Sequence, residues 1–331
     1  MRKKETGAEG DRDWSSRKIQ CTKRLISCRN PGARRIEMEK TFPQGFARGQ
    51  LTDGCLILES GAFRGIYQQG ALDALLEEGI RMQSTIGISV GALNGAAYTA
   101  GQIGQAIRFT IQNIGNSRFV GPSAMKENHG PIGFRFMFEQ LADWDEKAME
   151  LFFDTSTRFV VAATNMLTGK PEYFERIQNR KMTRMVQASA TIPYLSRPVV
   201  IDGIPYLDGG CTVRIPWKWA VENGYKKQLI IRTRPVNFRY QVSRAAMLAA
   251  RARFYRYPDF AKNFAMVRKN YNKDAAKLEQ LYKQGKIYMI APSVDLLDHF
   301  MQMDKDTLCR LYWNGYHDVK SQIGDIRTFL S

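Results

Sequence analysis

The 331-residue sequence predicts an α/β protein, a three-layer α/β/α arrangement around a mainly parallel central sheet. Three observations predict it. Short apolar runs recur near positions 55–58, 85–88, 158–164, 228–233 and 287–291, each the length of one buried strand. Between them lie longer stretches with helical spacing of apolar groups, and this alternation is the signature of parallel strands joined by crossover helices. The composition, 44% hydrophobic and 24% charged, is that of an ordinary globular chain.

The elements follow in order. Cys55-Leu56-Ile57-Leu58 reads as a buried strand that runs into the turn Ser60-Gly61-Ala62. Ala71, Leu72, Leu75 and Leu76 mark a helix over 67–78, with Gly79 placed to end it. A second strand at 85–88 leads into a helix of small residues over 90–106. The strand at 158–164 turns at Thr168-Gly169 into a short partner through Tyr173 and Phe174. A helix over 182–189 stops before Pro193. Asp202-Gly203 then separates two short strands and predicts a tight hairpin. Pro216 opens a helix that ends at Gly224. After the strand at 228–233 come helices over 243–257 and 259–284, a last strand at 287–291, and a last helix over 305–319.

Charge divides the chain. Of the net +17, residues 1–50 carry +7 and residues 238–273 carry +8, while the rest is nearly neutral. Residues 1–50 have no apolar periodicity and read as a basic, disordered tail, with Met38 as an alternative start. Residues 51–237 read as the main α/β domain, and 238–331 as a basic helical extension with a last strand and helix. No run of about 18 apolar residues offers a membrane span. Five dispersed cysteines with no C-x-x-C pair suggest neither a zinc site nor a disulfide framework, and fit a reducing, cytoplasmic compartment.

The chemistry lies in Gly87-Ile88-Ser89-Val90-Gly91, a G-x-S-x-G between an apolar strand and a small-residue helix. That is the setting of a nucleophile elbow, in which a tight turn exposes a serine at a helix N-terminus. Histidines, the usual partner base, are scarce. His129 and His317 have no supporting pattern, and the apolar neighbours of His299 suit a packed helix better than a triad. Asp208, at a strand end before Gly209 and Gly210, is the stronger candidate base, although Asp-Gly-Gly by itself also describes a turn. The stretch Glu59-Ser60-Gly61-Ala62-Phe63-Arg64-Gly65 joins a strand to a helix, and its amides suit an oxyanion or a phosphate. Neither a dinucleotide fingerprint nor a P-loop is present.

Together these segments resemble the patatin-like phospholipases, in particular a bacterial branch with a helical C-terminal extension. The turn ending Arg64-Gly65 resembles the family's glycine-rich oxyanion motif, with Ser60 and Ala62 in place of two glycines. Gly87 to Gly91 matches the nucleophile motif, and Asp208-Gly209-Gly210 the aspartate motif. Ala188-Ser189-Ala190-Thr191-Ile192-Pro193 resembles the family's approach to that aspartate. The resemblance implies a patatin-like fold and a serine acyl hydrolase acting on lipid carboxyl esters. It implies Ser89 as nucleophile, Asp208 as proton acceptor, the amides of Gly61 and Ala62 as oxyanion donors, and Ser60, Arg64 and Gly65 as support. No metal or organic cofactor is implied. The alternative is a non-catalytic lipid- or nucleic-acid-binding protein on a decayed hydrolase scaffold.

Residues 238–273 interleave basic and aromatic side chains. Phe260, Phe264, Val267 and Tyr271 share one helix face. That face suits packing on the core with a solvated basic side, or a peripheral contact with an anionic membrane. Nucleic acid is a third reading, without a recognised motif to support it.

Overall fold

Leu56, Ile57 and Leu58 are all fully buried, which explains why their run has no polar alternation: it lies inside a sheet covered on both faces. A computed structural model describes residues 42–141, 146–176, 181–297 and 303–331, and Phe42–Ser331 forms one compact unit. The tail expectation for the first 41 residues, and His299, fall outside the described residues.

In chain order the elements are β1 (Gly45–Phe46), β2 (Leu51–Leu58), α1 (Gly65–Glu77), β3 (Arg81–Gly87), α2 (Val90–Thr99), β4 (Gln102–Ile103) and α3 (Gln105–Asn113). Then come α4 (Pro122–Asn128), α5 (Phe134–Leu141), α6 (Glu146–Phe153), β5 (Arg158–Asn165), β6 (Pro171–Glu175), α7 (Met182–Ser189), β7 (Val199–Ile201) and β8 (Ile204–Asp208). The chain closes with α8 (Trp217–Glu222), β9 (Gln228–Ile231), α9 (Arg244–Arg253), α10 (Pro258–Lys283), β10 (Tyr288–Ile290) and α11 (Lys305–Leu330).

The main sheet runs β10-β9-β2-β3-β5-β8-β7, with β6 also paired to β5. Strands β10, β9, β2, β3 and β5 are parallel, while β6, β7 and β8 add antiparallel pairs at the other end. Alternate residues of β5 serve opposite layers, as a strand's two-residue period requires. Phe159, Val161 and Ala163 pack with Ala92, Met185 and Val186. Val160 faces the other way, into a cluster with Ile57, Trp219, Tyr271 and Leu278.

One detail of register positions the site. β6 pairs with residues 160–164 of β5 and β8 with residues 163–165, so the two overlap and must occupy opposite edges. β3, paired with residues 158–161 of β5, also overlaps β6 and so shares the edge of β8. β3 runs parallel to β5 and β8 antiparallel, so their C-terminal ends meet head-on. Gly87 lies opposite Val161, and Asp208 opposite Ala163.

Several elements differ from the sequence reading. The helix expected over 90–106 stops at Thr99, because Gly101 and Gly104 take left-handed φ values of 67° and 72° and turn the chain through β4 into α3. The last helix runs to Leu330. It packs on α1 where two glycines face backbone: a Cβ on Gly70 would strike the Tyr312 carbonyl, and one on Gly315 the Tyr67 carbonyl. Tyr312 donates to Asp73 and Tyr67 to Asp318, each at 2.7 Å, so the two helices are clasped reciprocally. On α10, Phe260 packs with Met166, Leu207 and Cys211, Tyr271 packs with Ile57 and Trp219, and Val267 is buried as well. Most of the aromatic face is therefore packed inward, with Phe264 half-buried.

Candidate active site

The turn at residues 59–64 follows β2, and the elbow at residues 88–91 follows β3. Because Leu58 pairs with Gly87, the two turns leave the sheet side by side at the C-terminal ends of neighbouring parallel strands. Ser89 caps α2 with φ 58° and ψ −123°, a conformation that costs about 1–3 kcal/mol. The flanking glycines permit it. A Cβ on Gly87 would strike the Gly91 carbonyl, and one on Gly91 would lie 2.6 Å from the Leu58 carbonyl oxygen.

Ser89 Oγ donates to Asp208 Oδ2 at 2.7 Å. The other carboxylate oxygen accepts from the Gly210 amide at 2.6 Å, so both oxygens are oriented. Burial pushes the Asp208 carboxyl up to about 6; the Ser89 hydroxyl, the Gly210 amide and the Arg214 charge pull the other way. Gly209 packs where β8 turns, against the Ala162 carbonyl.

The stretch resembling the family's approach to the aspartate gains a role from its contacts. Ser189 Oγ accepts the Ser89 amide at 2.9 Å and donates to the Ala162 carbonyl at 2.6 Å. Two residues on, the Thr191 carbonyl accepts the Asp208 amide at 3.0 Å. One short segment thus fixes the backbone of both partners. Periodicity could not have found Ser189, since a single small polar residue in the last turn of a helix carries no spacing signal.

Ser60, Gly61 and Ala62 line the same cavity as Ser89 and Asp208. No acceptor among the described residues takes the amide of Gly61 or Ala62. Ala62 has φ 48°, the left-handed region that favours glycine. Ser60 Oγ is buried without a partner. Gly65 begins α1 against Val90. The Arg64 guanidinium is held by the C-terminal segment: Nε donates to Asp295 at 2.9 and 3.1 Å, and Nη2 to the Leu297 carbonyl, which ties the turn to that segment.

Glu59 went unread as a site residue. It is buried, and Oε2 accepts Arg232 Nε at 2.9 Å and the Thr233 amide at 2.7 Å. Thr233 Oγ1 donates in turn to the Ser60 carbonyl at 2.8 Å. The signal was Glu59 in an otherwise apolar strand end, with its partner Arg232 in the same position on β9's continuation.

The cavity encloses about 1340 Å³. Leu93, Phe109, Phe119, Phe134, Met137 and Val186 give it a long apolar wall. Among the described residues no histidine lines it, and no group of three His, Cys, Asp or Glu side chains is placed to hold a metal ion. No described helix is long and apolar enough to cross a membrane. Chemically, the arrangement offers an oriented hydroxyl hydrogen-bonded to a buried carboxylate, amides without acceptors beside them, and room for an extended apolar chain.

A family model for patatin-like phospholipase matches residues 56–221, and one for a domain of unknown function matches residues 257–331. The chain is 29% identical over 190 residues to the uncharacterized protein YjjU of Escherichia coli, covering 56% of this chain and 53% of that one. It is 30% identical over 160 residues to lysophospholipase nte1 of Aspergillus terreus, covering 47% of this chain and 10% of that one. Among solved structures, VipD from Legionella pneumophila aligns with a TM-score of 0.44 at 11% identity, covering 83% of this chain and 67% of that one. The chain spans about half, or less, of the length of the curated relatives it matches.

Proposed function

Since the chain belongs to the patatin-like phospholipase family, we propose that it is a serine acyl hydrolase that cleaves lipid carboxyl esters, of the phospholipase A or lysophospholipase type, through Ser89 and Asp208. The observation that carries this reading is the 2.7 Å hydrogen bond from Ser89 to Asp208 beside a long apolar cavity.

The steps balance on these two residues. Ser89 Oγ attacks the ester carbonyl carbon while Asp208 takes its proton. The amides of Gly61 and Ala62 hold the resulting oxyanion, and a single such donor is worth about 3–4 kcal/mol of barrier. The carbon–oxygen bond to the alcohol breaks, and Asp208 returns the proton to the leaving oxygen. Water then attacks the acyl-enzyme, giving its proton to Asp208, and the fatty acid leaves as Ser89 is reprotonated. A carboxyl at about 6 suits this work, since it is ionised at neutral pH yet basic enough to accept a proton.

We further propose a cytoplasmic protein that meets anionic membrane peripherally, through α9 and the turn that follows it rather than through the buried face of α10. Leu248 and Tyr255 are 65% and 68% exposed, and Arg244, Arg251, Arg253 and Arg256 are exposed around them. Tyr194, on the cavity wall, packs on Phe254 at 5.3 Å, so this surface adjoins the cavity.

The test is hydrolysis of a short-chain aryl ester together with fluorophosphonate labelling. Ser89→Ala and Asp208→Asn should each lower turnover at least about a thousandfold with the circular dichroism spectrum unchanged, and the label should fall on Ser89. Absence of labelling in the wild type would favour a binding protein on a decayed scaffold.

A further inference from the structure

One end of the cavity is cationic. Arg214, Arg234 and Arg268 all line it, although they come from three separate segments. Their guanidinium carbons converge on one ring, lying 4.9, 5.7 and 5.7 Å from the centroid of Tyr240. Charge compensation there is thin. Asp295 pairs with Arg234 but also with Arg64. Among the described residues neither Arg214 nor Arg268 forms an ion pair with a carboxylate, although Arg214 is near enough to Asp208 to lower its carboxyl and Arg268 Nη1 donates to the Gln241 carbonyl at 3.3 Å. Arg214 spends one N–H on the Tyr240 hydroxyl at 3.2 Å, and its Nε is buried with no acceptor.

Gathering like charges in a partly dry wall is unfavourable unless an anion joins them. Guanidinium groups are the side chains best shaped for phosphate, which they hold through paired N–H donors. The site also stands next to the acyl-transfer centre. The Arg214 carbonyl accepts the Ser60 amide at 3.0 Å, so the arginine grows from the backbone that braces the oxyanion turn.

We propose that Arg214, Arg234 and Arg268 form a phosphate-binding subsite that takes the headgroup phosphate of a glycerophosphate ester whose acyl chain lies along the apolar wall. Its placement as a substrate subsite rests on the hydrolase reading. The subsite favours phosphate-bearing esters over neutral acylglycerols, because only the former neutralise the arginines. The three arginines line the same cavity as Ser89, so one ligand can reach both.

The experiment is equilibrium binding of two non-hydrolysable ethers, a 1-O-alkylglycerol 3-phosphate and the matching 1-O-alkylglycerol, to the full chain by calorimetry. Neither ether can be cleaved, so the outcome stands apart from whether Ser89 hydrolyses esters. The phosphate-bearing ether should bind at least about tenfold tighter, the value of one charge-assisted hydrogen bond. The double variant Arg214→Gln, Arg268→Gln should lose that preference while keeping its affinity for the neutral ether. Arg268→Gln alone, at an exposed position, should reduce it if the double variant folds poorly. Equal binding of the two ethers by the wild type would overturn the proposal, as would a preference that survives in Arg268→Gln and the folded double variant. Displacement of the ether phosphate by submillimolar inorganic phosphate would make this a free-phosphate site and overturn the headgroup assignment.

Discussion

The Tyr271 hydroxyl donates to Glu59 Oε1 at 2.8 Å and accepts from Arg232 Nη2 at 2.7 Å. A residue in the middle of α10 therefore closes a buried network that Thr233 links to the turn at Ser60. Tyr271→Phe would leave a carboxylate oxygen and a guanidinium N–H short of partners among buried side chains. The expected cost is about 1–3 kcal/mol, or roughly 2–4 °C of melting temperature per kcal/mol. Ester kcat should fall while KM stays near the wild-type value, because the turn shifts but the apolar wall does not. An unchanged melting curve would show that the network is dispensable.

Asp208 makes a separate prediction about pH. Burial raises its carboxyl from an ordinary value of 3.8 to about 6. Between those values the folded chain keeps a proton that the unfolded chain has lost, so the contribution of this group to stability falls as pH rises through that window. Above about pH 6 the ionised carboxylate costs up to about 3 kcal/mol. Asp208→Asn keeps the shape without the charge. It should melt above the wild type near pH 8 and converge with it near pH 4, although it is inactive. Asp73, raised to about 7 by burial, acts in the same direction in both proteins and cancels in the comparison. Wild-type hydrolysis should climb through about pH 6 to a plateau, as the base ionises. A rate independent of pH across that range would remove Asp208 as the base.

Ala62 sits where an L-residue is strained, at φ 48°. Glycine has no Cβ to clash there, so Ala62→Gly should raise stability by about 1 kcal/mol, measured by urea denaturation. Most other glycine substitutions at helix starts would be neutral or harmful, so a gain here reports the left-handed turn itself. A loss of stability would mean that the methyl group's packing outweighs its strain.

The exposed surface of α9 and the turn that follows it should govern membrane affinity. Replacing Arg251, Arg253 and Arg256 together with glutamine should weaken sedimentation with anionic vesicles by at most about 3 kcal/mol, about 1 per charge, with a smaller effect at high salt. Leu248→Ser should weaken it further by removing apolar contact. Equal binding to neutral and anionic vesicles would leave α9 as a solvated face.

Much of this architecture is written locally. Strand runs such as 55–58 and 158–164 and the helix at 182–189 follow from periodicity, and Asp202-Gly203 from turn chemistry, because each depends on residues within a few positions of one another. The G-x-S-x-G elbow is only partly local: Gly87 answers to the Gly91 backbone four positions on, whereas Gly91 answers to the Leu58 carbonyl of the neighbouring strand. Chain order alone does not say which edge of β5 the hairpin takes. Only that choice makes β3 and β8 meet head-on and brings Asp208 to 2.7 Å from Ser89, 119 positions away. The same holds for Glu59 with Arg232 and Tyr271, for Arg64 with Asp295, and for the three arginines around Tyr240. These contacts join segments with no shared periodicity, and their energy depends on burial, which sequence spacing does not contain. Whether the aromatic stripe of α10 meets core or membrane was likewise decided by what packs against it, since one amphipathic pattern serves both.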